Sequence, residues 1–141
     1  MKPRLNIVTL GVKDLKKSSE FYQSALGWKP TKDSDDKIVF FHQGGIVLGL
    51  YPLEELAKDA EVSQIRSGFS GVTLAINLES KEAVNELYES VIKKGAKPLV
   101  EPRDTFWGGY DCYFVDPDDN AWEIAWAPFW EFDEQGSLKM E

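Results

Sequence analysis

Three polar residues in the second half of the chain have the types and spacing that acid–base chemistry uses. Asp111 and Tyr113 are two residues apart in a predicted strand, so their side chains lie on one face of it. In the next predicted strand Glu123 alternates with Trp122 and Ile124, which puts its carboxyl opposite those large apolar side chains. A carboxylate beside a phenol can orient a ligand or move a proton, and burial would raise the pKa of the carboxyl. We therefore predict Glu123 and Tyr113 as catalytic residues and Asp111 as a ligand-binding residue.

Four further residues are predicted to line a ligand site: Thr9, Tyr51, Thr73 and Trp107. The first three stand on strand faces that mix glycine, threonine, tyrosine and carboxylates, a composition that suits a concave ligand site better than an apolar core. Trp107 lies in a glycine-rich loop, where it could cover the site or stack on a planar ligand. The alternatives are cross-strand packing for the strand residues, packing of the tryptophan on the module interface, and a solvated outer face.

Other chemistry-bearing residues have simpler interpretations. Glu123 could be held in a structural pair or be hydrated, and Asp111 is close enough to a strand end to face solvent. His42, the only histidine, stands beside a hairpin and has no histidine with which to share a metal. Cys112 points to the face opposite Tyr113, so we expect an inert buried thiol. The sequence contains no phosphate-binding glycine loop, nucleophile elbow or Cys-x-x-Cys pair.

The elements that must position these residues follow the same order twice. Apolar and β-branched runs, helical periodicity and turn residues predict β-α-β-β-β, a connection, and β-α-β-β-β again. The predicted parts are module one at 5–52, a linker at 53–68, module two at 69–127 and an irregular tail at 128–141, all within a single α+β domain. Short strands are predicted at 28–31 and 97–100, and helix caps at Asp14, Gly27, Ser80 and Gly95.

Composition limits the class of protein. The 141 residues are 43% hydrophobic and 28% charged, as in soluble globular domains. A net charge of −8 argues against nucleic acid and anionic membrane surfaces as partners and leaves open a cationic small ligand. The single cysteine fits a reducing compartment, and no apolar run reaches the roughly 18 residues of a membrane span. We therefore expect a cytoplasmic protein.

Three stretches carry a family resemblance, which covers about residues 5–127. They are VKDL at 12–15 with FY at 21–22 and LG at 26–27, FWGGY at 106–110, and DPDDNAWE at 116–123. The chain resembles the vicinal oxygen chelate superfamily, the group of glyoxalases, bleomycin resistance proteins and dioxygenases. In the last stretch Asp119 stands where the family usually has a turn glycine.

The resemblance implies two paired βαβββ modules that form a curved mixed sheet around a cavity. Many members hold a divalent metal there with four ligands, and these places fall on Ile7, Gly49, Gly71 and Glu123. Only Glu123 has a donor atom, whereas a catalytic metal usually keeps about three protein ligands. We therefore expect no metal and no other cofactor. The resemblance also implies a homodimer.

Three functions follow as hypotheses, and one of them, a metal-dependent lyase or dioxygenase with unusual ligands, needs donor atoms that the four matched positions do not supply. The first is binding of a small organic molecule in the cavity without the family metal, as the resemblance to bleomycin resistance proteins implies. The alternative is a cavity enzyme, of the lyase, isomerase or dioxygenase-like kind, that acts on a small carbonyl or related compound. In that alternative Glu123 would be a base or a residual metal ligand. Whether the protein is an enzyme stays open at this point.

Overall fold

The computed structural model describes residues 1–140 and has a mixed α+β fold, with three helices and nine strands in that part of the chain. In chain order the elements are β1 (Ile7–Val12), α1 (Leu15–Leu26), β2 (Val39–Gln43), β3 (Ile46–Pro52), α2 (Leu53–Asp59), β4 (Thr73–Asn77), α3 (Lys81–Lys93), β5 (Lys97–Asp104), β6 (Tyr110–Val115), β7 (Ala121–Trp126), β8 (Glu131–Phe132) and β9 (Leu138–Lys139). The chain divides into two compact units, residues 1–70 and residues from 71 onward. No helix of residues 1–140 has the length and apolar character that crossing a membrane requires.

The first unit contains a three-stranded sheet in the order β1-β3-β2. β1 and β3 are parallel, with α1 and β2 between them in the chain, and the turn at Gly44 and Gly45 makes β2 and β3 antiparallel. One face of the sheet is apolar, and α1 packs against it with Tyr22 and Ala25 buried. Leu48 and Phe41 are buried in the same core.

Both long helices begin at the caps that the sequence predicts. The Asp14 carboxylate accepts the Lys17 N–H at 3.0 Å, and the Ser80 hydroxyl accepts the Ala83 N–H at 3.0 Å. α1 ends at Gly27, which adopts the left-handed conformation with φ +70°, as predicted for a glycine stop. These local hydrogen bonds fix where each helix starts and therefore which of its faces meets the sheet.

The second unit contains a four-stranded sheet in the order β4-β7-β6-β5. α3 packs against β5, β6 and β7 and buries Val84 and Val91. Phe114 and Trp122, on neighbouring strands, stack with ring centroids 6.4 Å apart and planes 6° apart. This packing fills one face of the sheet with apolar side chains, so Tyr113 and Glu123 lie on the other face by alternation.

Three expectations about the elements require correction. β5 extends to Asp104 instead of ending at Val100, with shifts of register on either side of Val100. The strand expected at 28–31 is reduced to one bridge between Pro30 and Phe41. The tail expected to be irregular contains the β8–β9 hairpin, closed by the Asp133 carboxylate, which accepts the backbone N–H groups of Gln135 and Ser137 at 2.9 and 2.8 Å.

Candidate functional site

Tyr113 and Glu123 are directly opposite each other in the antiparallel pair of β6 and β7. The Tyr113 hydroxyl donates a hydrogen bond to Glu123 Oε2 at 2.8 Å. Burial, and then this hydrogen bond to a carboxylate, raise the pKa of Tyr113 to about 12, because an ionised phenol would be poorly solvated and would face Glu123. The phenol is therefore protonated at neutral pH and positions the Glu123 carboxylate.

Asp111 stands two residues before Tyr113 on the same face and is opposite Ala125 in the ladder. Its side chain is only 6% exposed, so the expectation that it could face solvent is wrong. Arg103, opposite Asp111 in the β5–β6 pair, donates from Nε to Asp111 Oδ1 at 3.4 Å, while 60% of its own side chain is exposed. A buried carboxylate therefore holds the inner end of a guanidinium whose outer end is accessible.

Arg103 is a site residue that the sequence analysis missed. It falls outside the short strand predicted at 97–100, so nothing in the local pattern places it against Asp111. The sequence does contain a signal for this pair. Arg103 and Asp111 have opposite charges and stand on either side of the glycine-containing connection at 105–109, where residues of a hairpin face each other. Extending β5 to that connection would have predicted the pair.

The loop that joins β5 to β6 holds Trp107 in a defined position. Thr105 closes the loop, since its N–H donates to the Gly109 carbonyl at 3.0 Å and its hydroxyl accepts the Gly109 N–H at 2.9 Å. The indole of Trp107 lies so close to Gly109 that no side chain would fit there. On another side the Trp107 ring contacts Trp130, with centroids 5.6 Å apart.

These residues surround a pocket of about 300 Å³ in the second unit. Its lining is Arg103, Asp104, Thr105, Phe106, Trp107, Asp111 and Tyr113. Three residues predicted from the sequence, Trp107, Asp111 and Tyr113, are thus brought together. Glu123 is not in the lining and adjoins it through its hydrogen bond with Tyr113.

The other three predicted residues are not part of this pocket. Thr73 begins β4 in the same unit, opposite Ala121, and is exposed. Thr9 and Tyr51 belong to the first unit, where they share one face of the sheet through the β1–β3 register. A side chain at Gly49 would approach Thr9 Oγ1 to 3.2 Å, so the glycine leaves room for that hydroxyl.

The donor atoms of this chain do not match the metal site that the resemblance implies. Of the four positions that the resemblance implies, Ile7 has a hydrocarbon side chain and Gly49 and Gly71 have none, so only Glu123 offers an oxygen. Gly71 lies before β4, which begins at Thr73, so the expectation that a strand begins at Gly71 is wrong. Within residues 1–140, no three side chains of histidine, cysteine, aspartate or glutamate group in a way that could hold a metal ion. The residues at these positions therefore do not fit a divalent metal bound in the manner that the resemblance implies.

Cys112 lies on the opposite face of β6 from the pocket and is fully buried. Its Sγ is 3.7 Å from the Ile124 carbonyl oxygen, to which the thiol donates. Burial raises the pKa of the thiol to about 12, so the thiolate is scarce at neutral pH. These features agree with the inert thiol that the sequence predicts.

Comparison with known proteins gives the fold and the relatives of the chain. Residues 4–124 match the family model described as Glyoxalase/Bleomycin resistance protein/Dioxygenase superfamily. A glyoxalase-related enzyme from Fulvimarina pelagi is 31% identical, with 97% of each chain covered and a TM-score of 0.90. Lactoylglutathione lyase from Agrobacterium tumefaciens is similar in fold, at 22% identity, with 92% of this chain and 98% of that chain covered and a TM-score of 0.68. No curated protein matches the chain significantly.

Proposed function

The chain belongs to the glyoxalase/bleomycin resistance protein/dioxygenase superfamily, and on that premise we propose that it binds a small organic molecule in the pocket beside Trp107 without a metal. The observation that carries this proposal is the composition of the pocket. An indole surface stands beside a few convergent polar groups, from Arg103, Asp111 and Tyr113, in a space of about 300 Å³. Sites for small organic ligands have this combination of apolar surface and few fixed polar groups.

The donor atoms support the metal-free part of the proposal. Ile7, Gly49 and Gly71 replace three of the four ligands that the family resemblance implies. Glu123 then has a different use, because its carboxylate accepts the Tyr113 hydroxyl and fixes the orientation of that ring. Recognition would rest on hydrogen bonds and stacking instead of coordination.

A cavity enzyme that acts on a small carbonyl or related compound is the second candidate function. The hydrogen bond from Tyr113 to Glu123 is the specific observation in its favour, because a carboxylate next to a phenol can serve as a base or move a proton. In this candidate Glu123 would remove a proton from the substrate while Tyr113 positions the carboxylate.

The test is a ligand screen with the purified protein, using a panel of small planar acids, amides, amines and carbonyl compounds. Binding is followed by two-dimensional NMR of the tryptophan indole N–H groups, with Trp107→Phe as the site variant. Trp28→Phe is the matched control, since Trp28 stacks on Tyr22 in the first unit, 5.6 Å between centroids. We expect ligands that shift the Trp107 signal of the wild-type protein and that, followed on the neighbouring Trp130 indole signal, lose affinity in Trp107→Phe but not in Trp28→Phe. A panel that leaves the Trp107 signal unmoved would contradict the proposal.

Mass spectrometry of the recovered ligands separates the two candidate functions. Unaltered ligand, with at most a modest loss of affinity in Glu123→Gln, is expected for a binding protein. A chemically altered ligand whose turnover disappears in Glu123→Gln would favour the enzyme instead.

Two further properties are proposed on other grounds. We propose a homodimer because the family resemblance implies pairing, and a cytoplasmic location because a single free cysteine suits a reducing compartment. Light scattering would report about twice the chain mass of 16.0 kDa for the dimer, and the mass of one chain would contradict it. Both modules are proposed to form one domain of the vicinal oxygen chelate kind.

A further inference from the structure

We propose that the pocket recognises a planar molecule carrying a carboxylate, whose oxygens accept hydrogen bonds from the terminal nitrogens of Arg103 while its ring lies against Trp107. This inference names the ligand class for the proposed function and rests on it. It differs from the cationic ligand that the net charge of −8 leaves open, because the lining group with the most unused hydrogen-bond donors is the Arg103 guanidinium.

Arg103 is held at one end and open at the other. Within residues 1–140, its contact from Nε to Asp111 Oδ1 at 3.4 Å is its only hydrogen bond or ion pair. The N–H groups on its two terminal nitrogens therefore have no protein acceptor in this part of the chain. A carboxylate fits these donors side by side, which is the geometry in which arginine binds carboxylates most strongly.

Asp111 supports this role because it limits the motion of the guanidinium. Its carboxylate is buried and directly opposite Arg103 in the ladder, so it anchors the arginine from the inside of the pocket. An anchored arginine loses less side-chain entropy when a ligand binds than a free one does. The ion pair thus prepares the outer N–H groups for an anionic oxygen.

The remaining polar groups of the lining are already engaged. Asp104 pairs with Lys81 at 2.7 Å, so its charge is compensated. The Tyr113 hydroxyl donates to Glu123, and the Thr105 hydroxyl accepts from Gly109. Arg103 is therefore the lining residue with the most unused donors, and a ligand that offers oxygen acceptors complements it.

Trp107 supplies the surface for the planar part of the ligand. Its indole lies against Gly109 on one side and contacts Trp130 on another, and these contacts limit its motion in the loop. Offset stacking on such a ring stabilises aromatic ligands in addition to the apolar area that it buries. A carboxylate joined to a flat ring would use Arg103 and Trp107 together.

The experiment compares benzoate, benzamide and benzamidinium, which have nearly the same shape and carry a negative, zero and positive charge. Affinities are measured from the Trp107 indole signal in two-dimensional NMR at low ionic strength. We expect benzoate to bind about tenfold more tightly than benzamide, since hydrogen bonds to charged groups are roughly twice as strong as neutral ones. Benzamidinium should bind most weakly.

Arg103→Gln and Lys97→Gln provide the matched pair of variants. Both residues are on β5 and each substitution removes one positive charge, but Lys97 is an exposed residue that pairs only loosely with Asp119, at 3.8 Å. Arg103→Gln should abolish the preference for benzoate, whereas Lys97→Gln should keep it. If Arg103→Gln fails to give a folded spectrum, Arg103→Lys replaces it. We then expect a reduced but measurable preference for benzoate, because lysine keeps the positive charge but lacks the paired N–H donors of the guanidinium.

The outcomes separate this inference from the proposed function. Binding of benzamide or benzamidinium at Trp107 as tight as that of benzoate would overturn the carboxylate class and leave small-molecule binding intact. An equal loss in Arg103→Gln and Lys97→Gln would overturn the role of Arg103, since only overall charge would then matter. Failure of benzoate to move the Trp107 signal, while another ligand of the panel does, also overturns the inference alone.

Discussion

At the level of single residues, Tyr113 shows how strand register can raise the pKa of a side chain. The antiparallel pairing of β6 and β7 puts its hydroxyl within 2.8 Å of Glu123 Oε2, and the pKa of the phenol is raised to about 12 by burial and by this carboxylate. The same contact gives Glu123 a fixed position at the edge of the pocket. The pair therefore forms a structural support for the site.

The Tyr113 pKa predicts a titration that can be measured. The difference in tyrosinate absorbance between the wild-type protein and Tyr113→Phe should have its midpoint near pH 12, above the ordinary value of 10.0. In Glu123→Gln we expect a lower midpoint, because the charge that opposes ionisation is gone while burial stays. A midpoint that Glu123→Gln does not lower would contradict the role of this hydrogen bond.

The raised pKa of Tyr113 also predicts how the free energy of unfolding depends on pH. Because the folded-state pKa is higher than that of the unfolded chain, this group stabilises the fold fully below about pH 10. That contribution is lost as the pH rises from about 10 to about 12. Relative to Tyr113→Phe, the wild-type free energy of unfolding should decline over this window.

Cys112 yields a second prediction at the residue scale. The thiol is fully buried and its pKa is raised to about 12. A reagent therefore cannot reach the sulfur, and little of the reactive thiolate is present. We expect no reaction with a disulfide reagent in the native protein at mildly alkaline pH, and complete reaction after unfolding in guanidinium chloride. Rapid labelling of the folded chain, followed by mass spectrometry, would argue against this packing.

At the level of elements, the turn between β6 and β7 depends on Asp116. This fully buried carboxylate accepts the N–H groups of Asp118 and Asn120, both at 2.9 Å, and the Asn120 side-chain amide at 2.8 Å. The turn thereby fixes the register that puts Glu123 opposite Tyr113. The positions of the site residues therefore rest on hydrogen bonds made at the end of the hairpin.

Replacing Asp116 should accordingly weaken the fold. Asp116→Ala removes the acceptor and leaves backbone donors unsatisfied, so we expect a loss of about 2–3 kcal/mol in the free energy of unfolding. Asp116→Asn, which keeps one acceptor oxygen for the backbone groups, should lose clearly less. Denaturant unfolding of the three proteins measures both losses, and equal stability of Asp116→Ala and wild type would refute the account of the turn.

At the level of the whole molecule, the family membership implies a metal site, but the side chains at the corresponding positions do not supply the metal ligands. The chain belongs to a superfamily in which the resemblance implies a metal site for many members, yet three of the four matched positions lack a donor atom. The chain also has a net charge of −8, and the pocket holds an exposed guanidinium. Recognition of a ligand is therefore expected to depend on local hydrogen bonds more than on metal coordination or on the overall field.

This view predicts that chelation has no effect. We expect the same melting temperature before and after dialysis against a chelator, because one carboxylate cannot supply the protein ligands of a divalent metal site. Elemental analysis of protein purified without chelator should give far less than one metal ion per chain. A melting temperature that rises with the concentration of added zinc, nickel or manganese would contradict the expectation that this protein binds no divalent metal.

The sequence by itself determined the family, the mixed α+β class, the capped helices and the shared face of Asp111, Tyr113 and Glu123. The family follows from the resemblance of the motifs at 12–27, 106–110 and 116–123, and the other features follow from local periodicity and from caps that lie within a few residues of each helix end. Only the tertiary structure revealed Arg103 in the site and the β8–β9 hairpin in the tail. The register of β5, with its shifts on either side of Val100, is set by pairing with β6, and no pattern within β5 encodes where an extra residue will fall. The position of the Arg103 guanidinium therefore depends on long-range strand pairing. The shared face of Asp111, Tyr113 and Glu123, in contrast, follows from the alternation of side chains in two short strands.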